Sequence, residues 1–219
     1  MHAVLLDFNG TMFFDSSLHL EAWSKIYQAL HPDSSSAPDA ALFCGPRNEA
    51  ILQSIAPWLT AEERARYSEE KEELYRTACK VNREITHLVP GAEDFLEHLR
   101  RSGIPCILVS ASIRKNIDFF FETFGLGRWL DRDLVVYDDG TYEDKRAMYL
   151  EAARRLKVDI RDCLIVEDSP SSVRHAAQLN PSCIVALGQT APAAQLLELG
   201  AHHYVRDFSE FDLAWLEHK

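Results

Sequence analysis

The chain has 219 residues, 47% of them apolar and 26% charged, enough for one medium domain, or a domain with a smaller appendage, and a sizeable core. Its formal charge of -11 argues against a nucleic-acid or anionic-membrane partner, which would be repelled at long range, but not against a small phosphorylated ligand, because nearby lysines and a divalent cation set the local field. No apolar stretch approaches the ~18 residues of a membrane span, no basic-then-apolar leader opens the chain, and the odd set Cys44, Cys79, Cys106, Cys163 and Cys183, without a C-x-x-C pair, reads as buried reduced thiols, so the expected location is the cytoplasm.

The first element is the apolar run Ala3 to Leu6, which ends in Asp7-Phe8-Asn9-Gly10-Thr11. A run that short reads as a buried strand delivering Asp7 to its C-terminal end, where the ligand crevices of α/β sheets lie. Residues 14–88 then carry no strand pattern. Leu18, Ala22, Ile26 and Leu30 recur four apart with Trp23 and Tyr27 beside them, residues 34–38 read as a loop, and residues 61–85 read as a long charged helix or a pair of helices. A spacer of that size between two strands is an inserted helical domain, and Val89-Pro90-Gly91 marks the return to the sheet.

From there, apolar runs at 105–109, 134–137, 163–166 and 183–187 alternate with helical stretches, the pattern of a parallel sheet. Ile113, Ile117, Phe120, Phe121 and Phe124 form one stripe closed by Gly125; Met148, Ala152 and Leu156 form another; a helix over 171–179 stops at Asn180-Pro181. The expected architecture is α/β, a doubly wound parallel sheet made of residues 1–13 and 89–219, with an all-helical domain, 14–88, inserted.

Four sites at strand ends carry the chemistry: Asp7-x-Asn9-Gly10-Thr11, Ile107-Leu108-Val109-Ser110, Lys145, and Val166-Glu167-Asp168-Ser169-Pro170. In order and spacing the chain resembles the haloacid dehalogenase-like phosphohydrolase superfamily over nearly its whole length, with a Rossmann-like core. The insert resembles the helical cap of the branch containing β-phosphoglucomutase and small sugar-phosphate phosphatases: Asp15, His19, Ala22 and Trp23 match a pattern of that branch, as does Ser110-Ala111-Ser112 followed by Asn116.

The resemblance implies roles. Asp7 would attack phosphorus and form an aspartyl phosphate; Ser110 and Lys145 would neutralise charge on the transferring group. Magnesium would be held by Asp7, Glu167 and Asp168 and by the backbone carbonyl of Asn9. Gly10, Thr11, Ala111, Ser112 and Asn116 would line the phosphate site. Lys145 stands two residues beyond position 143, where the family's Lys-Pro-x-Pro puts its lysine and this chain has Glu143; it is the only lysine between Lys115 and Lys157. In the insert, Gly45-Pro46-Arg47-Asn48-Glu49 resembles a substrate-facing loop in which Arg47 grips a second anionic group, and His19 is either a substrate or hinge contact or a packed core histidine. Lys71 and Tyr75 match positions on a later cap helix, although so charge-rich a helix reads most simply as a solvated face.

Asn9 is the departure. The resemblance puts at this position an aspartate that protonates the departing alkoxide, and an amide cannot hold or release that proton near neutral pH. The expected function is therefore a magnesium-dependent hydrolase of a small phosphorylated metabolite, a sugar phosphate by the branch resembled, acting through Asp7 and weakened by Asn9, with His19 or Asp15 as replacement proton carriers. The alternatives are a β-phosphoglucomutase-like phosphotransferase and a catalytically impaired phosphate-binding module. A dehalogenase would not need Glu167 and Asp168, and a phosphonatase would need a Schiff-base lysine for which there is no motif. A monomer is expected.

Overall fold

A computed structural model describes residues 3–34, 40–43 and 47–217. The chain forms two compact units, one Met1–Phe14 with His87–Lys219 and the other Asp15–Thr86, a division one residue later at the first boundary and two residues earlier at the second than the sequence reading placed it. Cys44, Gly45, Pro46 and residues 35–38 of the serine-rich loop lie outside the described residues.

The first unit is built on six strands: β1 (Ala3–Leu6), β2 (Cys106–Ser110), β3 (Val136–Tyr137), β4 (Cys163–Glu167), β5 (Cys183–Leu187) and β6 (His203–Val205). They pair in parallel in the order β3-β2-β1-β4-β5-β6. Every residue of β1 is buried, as expected of a central strand covered on both faces, and this is why its sequence is an unbroken apolar run rather than an alternating one. Ala3 and Leu5 share one cluster with Ile107, Val109, Met148, Tyr149 and Ile165. At the end of β1 an aromatic group forms, with Phe8 stacked on Phe120 at 4.4 Å and Phe13 tilted against Phe124 at 5.0 Å.

In this unit α4 (Ala92–Ser102), α5 (Arg114–Phe124), α6 (Lys145–Leu156), α7 (Pro170–Ala177) and α8 (Ala193–Glu198) connect the strands. Gly125, in the left-handed conformation at φ 62°, closes α5, and Asn180 takes φ 49° beyond α7, as the sequence implied. Strand β6 was not foreseen: His203 and Tyr204 are half-exposed and Val205 alone is buried, which offers no apolar run to read.

The second unit contains α1 (Ser16–Leu30), α2 (Asn48–Ile55) and α3 (Ala61–Val81), and no strand among its described residues. Trp23, Ile26, Ile51, Leu52 and Ile55 form its core. The charged stretch after residue 60 is one helix rather than two, opened by a capping box in which Thr60 and Glu63 each satisfy the other's backbone N–H. No helix of the described residues is long and apolar enough to cross a membrane.

Candidate active site

The register of the sheet assembles the site. Leu6 pairs with Leu108 on one side and Val166 on the other, so Asp7 leaves β1 level with the ends of β2 and β4, where Ser110 and Glu167 emerge. The Asp7 N–H donates to the Val166 carbonyl at 3.1 Å, and the Phe8 carbonyl then gathers the N–H groups of Thr11, Met12 and Phe13 into a tight turn. Gly10 sits in that turn at φ 77°, and a Cβ there would fall 2.1 Å from Asp168 Oδ2, so only glycine lets the loop lie against that carboxylate.

Four ionisable groups converge. One carboxylate oxygen from each of Asp7, Glu167 and Asp168 lies within 4.8 Å of the others, and all three residues are buried. Lys145 Nζ donates to Asp7 Oδ1 at 2.6 Å and lies 3.0 Å from Glu167 Oε1. The offset from position 143 is resolved by the helix start: the Asp144 side chain accepts from the N–H groups of Arg146 and Ala147, so Lys145 is the first residue of α6 and points inward, while Glu143 is exposed. Tyr149, one turn later, donates to Glu167 Oε1 at 2.6 Å, and Glu167 Oε2 accepts the Asp168 N–H at 3.1 Å. Ser169 caps α7 by accepting from the Ser172 N–H at 3.2 Å, which holds Asp168 in the strand-to-helix turn.

Three carboxylates against one ammonium leave an excess of negative charge. Burial, reinforced by the charge of Glu167 and opposed by Lys145, pushes the Asp7 carboxyl up to about 7. Burial, with Asp7 and Glu167 beside it, also raises the Asp168 carboxyl well above the ordinary range. Burial alone would lower the Lys145 ammonium, but the charges of Asp7 and Glu167 prevail and raise it. An acidic cluster that takes up protons for want of positive charge suits a hard divalent cation with oxygen ligands. The Thr11 hydroxyl, buried with no hydrogen-bond partner, is a further polar atom in this loop that protein contacts leave unsatisfied.

Asn9 is held by serines. Its Oδ1 accepts from Ser112 Oγ at 2.8 Å and from Ser110 Oγ at 3.3 Å, and Ser110 Oγ in turn accepts the Ser112 N–H at 3.2 Å. Ala111 between them is exposed, and Asn116 is buried in the first turn of α5. The first unit thus brings together Asp7, Asn9, Gly10, Thr11, Ser110, Ser112, Lys145, Glu167 and Asp168. Sequence reasoning missed two of their partners: Tyr149, and Thr190, whose hydroxyl donates to Asp168 Oδ2. A signal for Thr190 was present in Gly188-Gln189-Thr190, a glycine turn directly after an apolar strand.

The remaining candidates belong to the helical unit. His19 and Asp15 are engaged there: Lys71 Nζ lies 2.7 Å from His19 Nδ1, His19 Nε2 lies 3.2 Å from Asp15 Oδ2, and Tyr75 donates to the same oxygen at 2.6 Å. An ammonium has no lone pair, so Nδ1 accepts and the ring proton sits on Nε2, facing Asp15. The solvated reading of α3 is corrected at these positions. Lys71 is 2% exposed and Tyr75 fully buried, because Lys71 also pairs with Glu72 at 2.8 Å and lies over the Trp23 and Tyr75 rings. Arg47 is exposed, immediately before α2.

The family model described as haloacid dehalogenase-like hydrolase matches residues 1–180. Among curated proteins, the chain is 37% identical over 87 residues to the bifunctional riboflavin kinase/FMN phosphatase of Arabidopsis thaliana, a match covering 39% of this chain and 23% of that enzyme. The chain spans less than a third of the length of that relative and of a second Arabidopsis protein that it matches. Among solved structures, a family IA, variant 3 hydrolase from Entamoeba histolytica superposes with a TM-score of 0.90 at 28% identity, covering 99% of this chain and 98% of the other. A point mutant of CbbY from Rhodobacter sphaeroides in complex with xylulose-1,5-bisphosphate superposes with a TM-score of 0.82 at 21% identity, covering 99% of each chain.

Proposed function

Since this chain belongs to the haloacid dehalogenase-like hydrolases, we propose that it is a magnesium-dependent phosphatase of a small phosphorylated metabolite, with Asp7 as nucleophile. The observation that carries the reading is the buried contact of Asp7 Oδ1 with Lys145 Nζ at 2.6 Å, inside a cluster whose carboxylate oxygens lie within 4.8 Å of one another. Sugar phosphates are the first substrates to test, because CbbY, with the same fold, binds a sugar bisphosphate.

Asp7 and Asp168 would hold magnesium directly; Glu167, whose oxygens already serve Tyr149, Lys145 and the Asp168 N–H, would act through water, and the Asn9 carbonyl would complete the set. Bound there, the ion would neutralise charge on the phosphate. The chain's own residues do the rest. Lys145 favours the ionised form of Asp7 and orients it, and one Asp7 oxygen attacks phosphorus as the bond to the leaving oxygen breaks, its electron pair departing with that oxygen. Water then attacks the phosphoryl group, the bond to Asp7 breaks and restores the carboxylate, and the water's proton passes to solvent.

The test is phosphate release from a panel of phosphate esters with magnesium and with chelator, using this chain and Asp7→Asn. Release that requires magnesium and disappears in Asp7→Asn supports the reading; equal release by the two proteins overturns it.

A further inference from the structure

A group that hands a proton to a leaving oxygen must carry one it can release. Around Asp7 the described contacts commit the protons of two donors: Lys145 donates to Asp7 and Glu167, and Tyr149 donates to Glu167. Asn9, two residues past the nucleophile, is not loosely placed. Because Ser110 Oγ already accepts the Ser112 N–H, its single proton goes to Asn9 Oδ1, and Ser112 Oγ supplies a second. The two hydroxyls fix the carbonyl edge of a planar amide, so the opposite edge presents an NH2 group, which donates a hydrogen bond but releases no proton near neutral pH. In the helical unit, Asp15 and His19 are bonded to each other and to Tyr75 and Lys71.

We infer that this site is selective for phosphoryl donors whose leaving oxygen departs as a stable anion: acyl, enol and aryl phosphates and phosphoanhydrides, and, among sugar phosphates, esters of the more acidic anomeric hydroxyl. Esters of ordinary alcohols are poor substrates. In the first step the bond between phosphorus and Asp7 forms, the bond to the leaving oxygen breaks, and that oxygen keeps the electron pair as an anion stabilised by its own carbonyl, ring or phosphate. The second step expels the Asp7 carboxylate, itself a stable anion, and needs no acid. The inference rests on the hydrolase reading above and narrows its substrate class.

The experiment is kcat/KM with magnesium for acetyl phosphate, a series of substituted phenyl phosphates, and glycerol and glucose 6-phosphates, on this chain and on Asn9→Asp. The expected result is a steep fall in kcat/KM with rising leaving-group pKa, the alcohol esters lying at least about 10²-fold below acetyl phosphate, the worth of a general acid. Asn9→Asp recovers about 10²- to 10⁴-fold on the alcohol esters and changes acetyl phosphate little. Alcohol esters turned over by this chain within about ten-fold of acetyl phosphate would sink the inference, as another proton donor would produce that pattern; so would a uniform gain in Asn9→Asp. If neither protein acts on any donor, it is the hydrolase reading itself that fails, and the inference with it.

Discussion

Lys145 Nζ donates to Asp7 Oδ1 at 2.6 Å, although the two residues stand 138 positions apart. Among the described contacts the ammonium meets two of the three buried carboxylates, Asp7 and Glu167, and its removal has a defined consequence.

Lys145→Met leaves Asp7, Glu167 and Asp168 facing one another without a counter-charge. Stability measured by urea unfolding in chelator should fall by about 3 kcal/mol, and kcat should drop by about 10²-fold or more. Added magnesium should recover part of the stability but not the rate. Unchanged stability in chelator would place the ammonium outside the cluster in solution.

Asp168→Asn should separate repulsion from metal binding by the sign of its effects. Burial first, and the neighbouring carboxylates second, raise the Asp7 and Asp168 carboxyls, so each ionised acid in the metal-free cluster carries a cost. Removing one charge should therefore make the metal-free protein more stable, while abolishing the stabilisation by magnesium, worth about 2.7 kcal/mol in the starting protein at a hundred times the dissociation constant. Thermal melts with and without magnesium read both effects. A magnesium shift that persists in the variant would mean that the ion binds elsewhere.

Gly10→Ala and Gly140→Ala form a controlled pair, since both glycines have positive φ, 77° and 83°, but a Cβ at Gly140 meets nothing within 4 Å. Gly140→Ala should cost about 1 kcal/mol of backbone strain and leave phosphatase activity intact. Gly10→Ala should cost more, since its methyl displaces Asp168, and should weaken magnesium binding measured by calorimetry. Equal effects of the two variants would show that the loop does not rest on Asp168.

Glu72 gives the helical unit a pH dependence. Burial alone would raise its carboxyl, but Lys71 at 2.8 Å and the Asn48 amide at 2.7 Å outweigh it and hold the group below its usual 4.5. A depressed folded-state pKa contributes stability that is complete above the unfolded value and is lost as pH falls through the folded one. The melting temperature should therefore fall below pH 4.5 more steeply in this chain than in Glu72→Gln. Parallel curves would show that the carboxylate has no net stabilising partner.

Much of the core was legible in the chain because buried parallel strands write themselves as unbroken apolar runs: β1 and β5 fall on the runs read for them, and β2, β3 and β4 within one or two residues. His203-Tyr204-Val205 escaped because an edge strand with half-exposed positions has no such signature. In the helical unit, the charge density of α3 suggested solvent, yet Lys71 and Glu72 are buried because each neutralises the other and Asn48, His19 and two aromatic rings complete their surroundings. Composition records that a residue is charged; whether the groups that complete its burial are present depends on other helices.

The sequence by itself determined a parallel α/β sheet with a helical insert, and an acidic pair, a hydroxyl and a further carboxylate at strand ends, because burial periodicity and turn residues are properties of local chain. Only the tertiary structure decided that Lys145 rather than a residue at 143 meets Asp7, that Tyr149 and Thr190 orient the acids, and that Ser110 and Ser112 fix the face Asn9 presents. Those choices depend on sheet register and on where α6 begins, which bring into contact groups more than a hundred residues apart.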